Sequence, residues 1–503
     1  MSGDEENHDQ PIEDTVQLKG CTSKEESDLI LRIRRTILHL DDEASNETQS
    51  LSTATLDFKI ERAKQKFAAE SLEEAFYECW KIPQEQRPLE IWKLGGECCK
   101  KLRLFAIAQR WFSEAIHACR SHNTDLNVKL EQARIARFFA SYLSQYPTID
   151  IRVDQRGKGR QCFWFSHYVI VDFLLVLLGI YAKRVISPGE DIFTDIPLVH
   201  AQTVDTLSIS PACGTCTTSL LTPAVYFDSA WSRMPEKLQR QVEDYWPTIK
   251  PLPCLHCSFE YYCSEACRTL AWDSHHQILC PSVNSETLEL YQFCANRQII
   301  VRDTWNSIFS PMILAKLIAM IILNAVKSLS TDENPVTTDN GYESNSIIDR
   351  EQIEKAKETF SEFISSGDAS YGRTIPRMLK LMKSIFQHPS MPIRYHVDED
   401  EFIYRFYQIA CNAQSFSSPM YASTVYARFL SNVRQRDRTG LLQNIKIYLR
   451  GEPIDQVFGG LFPLQSSLNH SCDNSCEIMD CQVTPDFAGI KVRKVDMICF
   501  NFM

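Results

Sequence analysis

The spacing of apolar residues changes along the chain and divides it into segments. Residues 1–55 are polar and acidic with no apolar period, which predicts a flexible N-terminus, above all before Lys24. From 56 to 146, apolar residues recur every three to four positions, which predicts helices.

One part of that stretch has the spacing of a tetratricopeptide helix pair, at Trp92, Gly96, Ala108, Phe112 and Ala115. The alternative is a helical hairpin that matches this repeat by chance.

Strand patterns flank a second helical region. Residues 151–212 contain short apolar segments separated by turn residues, which predict strands joined by a Pro-Gly turn. Residues 281–449 are mostly helical in pattern, with a loop at 329–346 that is rich in turn formers. Two further strands are predicted at 476–483 and 489–495. The pattern therefore predicts an α+β fold with several domains, since 503 residues exceed what one core usually holds.

Charge and cysteine content narrow the class of protein. The formal net charge is −11, which disfavours a general nucleic-acid binder and suits basic protein substrates. The acidic start of the chain is unlike a secretory signal. Nineteen cysteines in a chain without such a signal indicate metal ligands and free thiols, because disulfide frameworks belong to oxidising compartments.

Residues 213–280 hold four pairs of soft ligands at short spacing. The pairs are Cys213 and Cys216, Cys254 and Cys257, Cys263 and Cys267, and His276 and Cys280. Each pair can supply half of a tetrahedral zinc site from one tight turn, so the block predicts two zinc ions. His275 is an alternative ligand. His276 is favoured because it lies about one helical turn before Cys280, so that both side chains face the same way.

The stretch YYCSEACRTLAWDSHHQILCP resembles the late half of a MYND zinc finger. That resemblance implies a cross-braced arrangement, in which the first and third pairs share one zinc and the second and fourth share the other. The two implied sets are Cys213, Cys216, Cys263 and Cys267, and Cys254, Cys257, His276 and Cys280. The spacer at 217–253 is longer than in most MYND fingers, so the packing of the first pair stays open.

The order of parts resembles the SET-and-MYND protein-lysine methyltransferases, and most closely their fifth-member branch. GKGR at 157–160 and IYAKRVISPGEDIFTDIPLVHAQ resemble the start of a SET domain, and GLFPLQSSLNHSC resembles its later half, within 450–503. The resemblance implies S-adenosylmethionine as cofactor, bound by Gly157, Gly159, Asn469 and His470. It also implies substrates among histone tails or other proteins, in the nucleus and cytoplasm.

Three departures from the family pattern affect these expectations. The family's Pro-Asn after Asn-His-Ser-Cys is missing, because Cys472 is followed by Asp473, Asn474 and Ser475. No Gly-Glu-Glu…Tyr segment and no Cys-x-Cys-x2-Cys segment follow before Met503. We therefore assign no catalytic residue and expect a truncated SET domain with little or no methyl transfer.

The third departure is an apolar insert at 161–178, which interrupts the first strand pair. A membrane span is disfavoured because Asp172 lies near the centre of the apolar stretch. The favoured interpretation is a mis-joined coding segment, and a tolerated insertion is the third possibility.

A different class of function competes with the enzyme. MYND fingers bind proline-rich peptides and tetratricopeptide grooves bind peptides, so a non-catalytic adaptor is the alternative. No direct nucleic-acid contact and no membrane partner are expected.

Overall fold

The chain divides into two compact units, residues 1–144 and 145–503. The computed structural model describes residues 24–36, 52–119, 124–154, 177–247, 250–296, 310–331, 350–363, 365, 374–391, 395–417, 422–449, 454–468, 476–484 and 487–494. The first unit is helical in its described part, and the second mixes helices with short antiparallel sheets. The predicted α+β class is confirmed.

Consecutive helices of the first unit pack against one another. Its helices are Lys24–Thr36, Thr53–Ala68, Leu72–Trp80, Leu89–Lys101, Phe105–Ala118, Thr124–Phe138 and, at the boundary, Ala140–Gln145, with a 3₁₀ turn at Gln84–Gln86. This order of neighbours arises when short loops join helices that each bury one apolar face.

The predicted helix pair is formed by Leu89–Lys101 and Phe105–Ala118, where the five residues that carried the prediction are all buried. Two glycines set how closely the helices approach. A Cβ atom added to Gly95 would overlap the ring of Trp111, and one added to Gly96 would lie 2.6 Å from a ring carbon of Phe112. Small residues therefore allow the two helices to approach closely, as the repeat pattern predicted. Membership of the tetratricopeptide family stays a prediction.

The prediction of a flexible segment over 1–55 is wrong for Lys24–Thr36, which forms a helix. Ile30 and Ile33 on this helix are fully buried in the core of the first unit. Glu26 is also buried, and its Oε1 accepts a hydrogen bond of 2.8 Å from Nε1 of Trp111. A narrow apolar stripe between charged residues explains why the polar composition concealed a helix.

The second unit contains ten described strands in four sheets. They are β1 Ile149–Asp154, β2 Leu177–Ala182, β3 Asp191–Asp195, β4 Val199–Gln202, β5 Leu252–Pro253, β6 Tyr261–Tyr262, β7 Ala413–Ser417, β8 Val457–Leu461, β9 Cys476–Thr484 and β10 Phe487–Lys494. The antiparallel sheets have the orders β1-β2, β3-β10-β9, β4-β8-β7 and β5-β6. Strands from both ends of the unit therefore pair directly, as β3 with β10 and β4 with β8.

Helices and short turns connect these strands along the chain. They are Val204–Leu207, Pro223–Phe227, Glu236–Tyr245, Glu265–Ala271, Gln277–Leu279, Thr287–Cys294, Pro311–Thr331, Arg350–Lys357, Thr374–Phe386, Glu399–Asn412, Ala422–Asn432 and Gln435–Lys446, with 3₁₀ turns at Asp228–Arg233, Glu358–Phe360 and Gln465–Ser467 and a π-helical turn at Trp272–His276. Pro311–Thr331 lies at the centre of the largest apolar core. Its stretch Pro311–Ser328 is long and apolar enough to cross a membrane, but 72% of that stretch is buried inside the protein, as in a core helix.

The predicted strands, the predicted helical region and the apolar insert can be compared with the structure. The predicted strands at 476–483 and 489–495 are present as β9 and β10. The region predicted to be helical, 281–449, also contains β7, because its backbone pairs with β8 and tertiary pairing overrides local pattern. Leu177 and Leu178, the last residues of the apolar insert, belong to β2 and pair with β1. The rest of that insert lies outside the described residues.

Candidate metal centre and cofactor loop

The first predicted ligand set comes together in space. The ligand atoms of Cys213, Cys216, Cys263 and Cys267 all lie within 4.8 Å of one another. Two Sγ–Sγ distances are 3.3 Å, from Cys216 to Cys263, and 3.6 Å, from Cys263 to Cys267. Four sulfurs at this separation suit one tetrahedral ion with Zn–S bonds of about 2.3 Å.

Local structure explains how these cysteines are presented. Cys213 and Cys216 lie in a tight turn in which the N–H of Thr217 donates to the carbonyl of Cys213 at 3.1 Å, with Thr217 in the left-handed region at φ +65°. Cys267 lies in the first turn of the helix Glu265–Ala271, where its N–H donates to Oγ of the capping Ser264 at 3.2 Å. A tight turn therefore supplies the first two ligands, and the beginning of a helix supplies the other two.

The second predicted set also comes together. The ligand atoms of Cys254, Cys257, His276 and Cys280 lie within 4.8 Å of one another. The two sets interleave along the chain, as the cross-braced resemblance implies. The short hairpin β5–β6 lies between them, and the N–H of Gly214 donates to the carbonyl of Tyr261 at 3.0 Å, which ties the first turn to that hairpin.

His276 faces the second site and His275 does not. Nε2 of His276 lies 3.4 Å from Sγ of Cys257. Nδ1 of His275 lies 2.8 Å from Oγ of Ser274 instead, and His275 is not part of the ligand cluster. Both histidines lie in the π-helical turn Trp272–His276, and consecutive helical residues point roughly 100° apart, so only one of the two can face the site.

The long spacer does not separate the first cysteine pair from the finger. Its helices pack on Ala422–Asn432 and Gln435–Lys446 around a separate apolar core. Nε1 of Trp246, near the end of the spacer, donates to the carbonyl of Leu221 near its start, at 2.9 Å. The spacer is thus a helical insertion whose two ends lie close together, so the chain re-enters the finger near the point where it left.

Burial prepares these side chains for a cation. Burial raises the pKa of the Cys257 thiol to about 12 and also raises the pKa of Cys280. A thiol in such a place becomes a thiolate only beside a strong Lewis acid, as zinc binding requires. Burial lowers the pKa of His276, which keeps its imidazole in the neutral form that binds metal. The chemistry of the second donor set therefore fits zinc, and the four thiols of the first set are likewise ligands that zinc prefers.

Two residues that sequence reasoning missed, Tyr291 and Glu260, lie on the side of the His276 ring that faces away from the sulfurs. With Nε2 turned to the sulfurs, Nδ1 lies 3.5 Å from the hydroxyl oxygen of Tyr291. That hydroxyl donates to Oε1 of Glu260 at 3.0 Å. Such an outer partner fixes the orientation of a histidine ligand and raises its basicity. No sequence signal identifies Tyr291 and Glu260, because 31 residues separate them and only the fold joins them.

The four residues predicted to bind the cofactor, Gly157, Gly159, Asn469 and His470, lie outside the described residues, as does Cys472. Their flanks are described. β1 and β2 pair on either side of the segment that contains the two glycines. The 3₁₀ turn Gln465–Ser467 leads to Asn469 directly after β8.

A buried carboxylate anchors the turn that leads to Asn469. Oδ2 of Asp195, at the end of β3, accepts a hydrogen bond of 2.9 Å from the N–H of Gln465. Asp195 is 2% exposed, and burial raises its pKa to about 7. Three buried atoms here have no hydrogen-bond partner among the described residues: Oδ1 of Asp195, Oε1 of Gln465 and Oγ of Ser466. Buried polar groups normally find partners, so this cluster can accept a polar ligand.

Comparison with known proteins agrees with this geometry. The family model of the MYND finger matches residues 245–280, which include the last six ligands. The human protein-lysine N-trimethyltransferase SMYD5 is 25% identical over 320 residues, 59% of this chain and 69% of the relative. The chain is a distant relative of the SET-and-MYND proteins. The zebrafish (Danio rerio) SMYD5 is likewise 25% identical over 329 residues, 59% of this chain and 70% of the relative. The resemblance to SET-and-MYND proteins stated from the sequence is confirmed, whereas the SET-domain and tetratricopeptide details stay predictions; the relatives are named as protein-lysine methyltransferases.

Proposed function

We propose that this SET-and-MYND relative is an S-adenosylmethionine-dependent protein-lysine N-methyltransferase that acts on histones or other basic proteins in the nucleus and cytoplasm. The similarity to proteins named lysine N-trimethyltransferases supports this proposal. The structural observation that carries it is a cluster of buried polar atoms without partners among the described residues, formed by Asp195 and by Gln465 and Ser466 on the turn that precedes Asn469. A net charge of −11 favours basic substrates.

The residues that would hold the cofactor are Gly157, Gly159, Asn469 and His470. Bound S-adenosylmethionine would supply an electrophilic methyl group. Glycines allow the backbone to approach a ligand closely, because no Cβ intervenes. Ser466 offers a hydroxyl, and Gln465 offers an amide oxygen that can accept a hydrogen bond from the ligand. No residue is assigned to the methyl-transfer step itself.

The two zinc sites are proposed to be structural. Each set has four protein ligands, and a closed four-coordinate site leaves no position for a substrate. Their role in this proposal is to hold β5, β6 and the finger helices together beside the strands that lead to the cofactor loop.

Transfer of a tritiated methyl group from S-adenosylmethionine tests the proposal. The full chain is incubated with core histones and with a mixture of basic cellular proteins, and labelled lysine is measured after hydrolysis. Because little transfer is expected from this chain, cofactor binding is the decisive measurement, and simultaneous substitution Asn469→Ala and His470→Ala should weaken it at least tenfold in equilibrium dialysis. The control His396→Ala changes an exposed histidine and should have no effect. Absence of cofactor binding by the parent chain would refute the proposal.

A specific groove favours the adaptor as second candidate. It lies on the finger and is lined in part by Leu255, His256, Arg268 and Trp272. Leu255 is 71% exposed, and the rings of His256 and Trp272 lie 4.6 Å apart. An exposed apolar and aromatic groove suits a proline-rich peptide, which binds with little loss of conformational entropy.

Fluorescence anisotropy with a labelled proline-rich peptide separates the two candidates. Leu255→Ser should weaken peptide binding, whereas Val185→Ser, at an 89% exposed apolar residue, should not. Peptide binding without cofactor binding would favour the adaptor. Equal effects of the two substitutions would remove the groove from consideration.

A further inference from the structure

A second cavity lies on the side of the finger that faces the core helix Pro311–Thr331. Its volume is about 210 Å³. The walls come from β4, from the turn of the first cysteine pair, from the finger helices and from the core helix, and the principal lining residues are Val199, His200, Thr217, His275, Lys316 and Met320. Leu270, which is 45% exposed, lies at the edge of the cavity and marks its opening.

Lys316 is the unusual residue of this cavity. It is 5% exposed and belongs to a helix whose neighbouring side chains are apolar and buried. Among the described residues, no carboxylate forms an ion pair with it, and the cavity lining contains no Asp or Glu. A buried charge without a partner is costly, and lysine is rarely buried unless it is paired.

The other lysine of the same helix behaves differently. Lys327 lies eleven residues later, close to three turns, and therefore on the same face. Its Nζ donates to the carbonyl of Asp273 at 2.9 Å. One lysine on this face thus has a protein partner, whereas Lys316 faces a cavity.

Further polar atoms around Lys316 also lack partners. Nε2 of His200 and Oγ1 of Thr217 are buried and have no hydrogen-bond partner among the described residues. The rest of the lining is largely apolar, from Ile196, Leu198 and Met320. A cation with nearby donors at one end of an apolar cavity is complementary to an anion with an apolar body.

We propose that this cavity binds a small aliphatic carboxylate. The carboxylate group pairs with Lys316, and the alkyl group packs against Met320 and against Ile196 and Leu198, which precede β4. A cavity of about 210 Å³ is large enough to hold several waters or one small organic molecule. A carboxylate of four or five carbons fits such a space. The cavity lining includes none of the predicted cofactor residues, and the binding proposal does not depend on methyl transfer.

One competing role for Lys316 must be separated from ligand binding. Cys216 also lines the cavity, and a zinc ion with four thiolates carries net negative charge. Lys316 could therefore serve only as a counter-charge to the first zinc site. In that case its removal would loosen zinc, and no carboxylate would bind to the parent chain.

Saturation-transfer NMR with the zinc-loaded full chain tests the proposal. The probes are butyrate, its neutral isostere butanamide and inorganic phosphate. We expect butyrate to bind in the millimolar range and butanamide at least tenfold more weakly, because only butyrate pairs with the lysine. Phosphate should compete weakly, because it has no alkyl group.

Three variants complete the test. Lys316→Met should weaken butyrate binding at least tenfold, and Met320→Phe should do the same by filling the cavity while the lysine remains. Lys327→Met removes a lysine that already has a partner and should leave binding unchanged. If Lys316→Met fails to fold, Met320→Phe still decides the outcome. Equal binding of butyrate and butanamide, or no butyrate binding by the parent chain, would overturn the proposal, and zinc loss in Lys316→Met would then assign the lysine to the first metal site.

Discussion

Replacing His276 by alanine removes one ligand from the second metal site and leaves three cysteines. The imidazole is 1% exposed, and its Nε2 lies 3.4 Å from Sγ of Cys257, so its removal leaves a small cavity beside the metal that only a weaker ligand such as water can fill. We expect the zinc content of the purified chain to fall from two ions to one. The first site shares no ligand with the second and should keep its ion.

The size of the effect follows from the number of ligands. Structural zinc contributes about 10–16 kcal/mol in small fingers, so one ligand of four accounts for about 3 kcal/mol. At about 1.4 kcal/mol per factor of ten, this corresponds to more than a hundredfold loss of affinity. Zinc at that site should therefore be lost to a competing chelator that leaves the first site loaded.

Metal analysis by mass spectrometry and cobalt substitution measure the two sites separately. Cobalt bound by four sulfurs and cobalt bound by three sulfurs and one nitrogen differ in their absorption bands, so His276→Ala should remove only the second set. His275→Ala is the matched control, because this neighbour is also buried but its Nδ1 contacts Ser274. Two zinc ions in His276→Ala, or one in His275→Ala, would refute the assignment.

Three further predictions concern single side chains. Tyr291→Phe removes the hydroxyl behind His276 and should weaken zinc at the second site alone by about 10–100-fold in chelator competition; equal loss at both sites would contradict this. Gly95→Ala should cost about 1–3 kcal/mol by overpacking, whereas Gly440→Ala, which has open space around it, should not lower the thermal unfolding temperature. Burial raises the pKa of Asp195 from 3.8 to about 7, so the folded chain binds a proton there that the unfolded chain has lost, and stability falls as pH rises from about 4 to about 7. Asp195→Asn should remove a fall in the free energy of unfolding of about 3 kcal/mol between about pH 5 and about pH 8, measured by urea denaturation, and an unchanged pH dependence would contradict it.

The metal ligands could be predicted because their chemistry is local. A pair such as Cys263 and Cys267 needs only a tight turn or the start of a helix to place both sulfurs on one ion. The helix pair around Gly96 was recognisable for a similar reason, because the spacing of large and small residues reflects contacts between neighbouring helices. Strands β9 and β10 were also visible, since alternation along a strand reports the face that it buries.

Only the tertiary structure determined the features that depend on contacts between residues far apart in the chain. The helix Lys24–Thr36 is stabilised through contacts such as Glu26 with Trp111, 85 residues later, and its polar composition gave no indication of them. β7 is a strand because β8 pairs with it, although its sequence lies in a helical region. Support of His276 by Tyr291, and the isolation of Lys316 beside a cavity, arise only when separate elements pack together. Local spacing is encoded in sequence, but burial and partnership are properties of the assembled core.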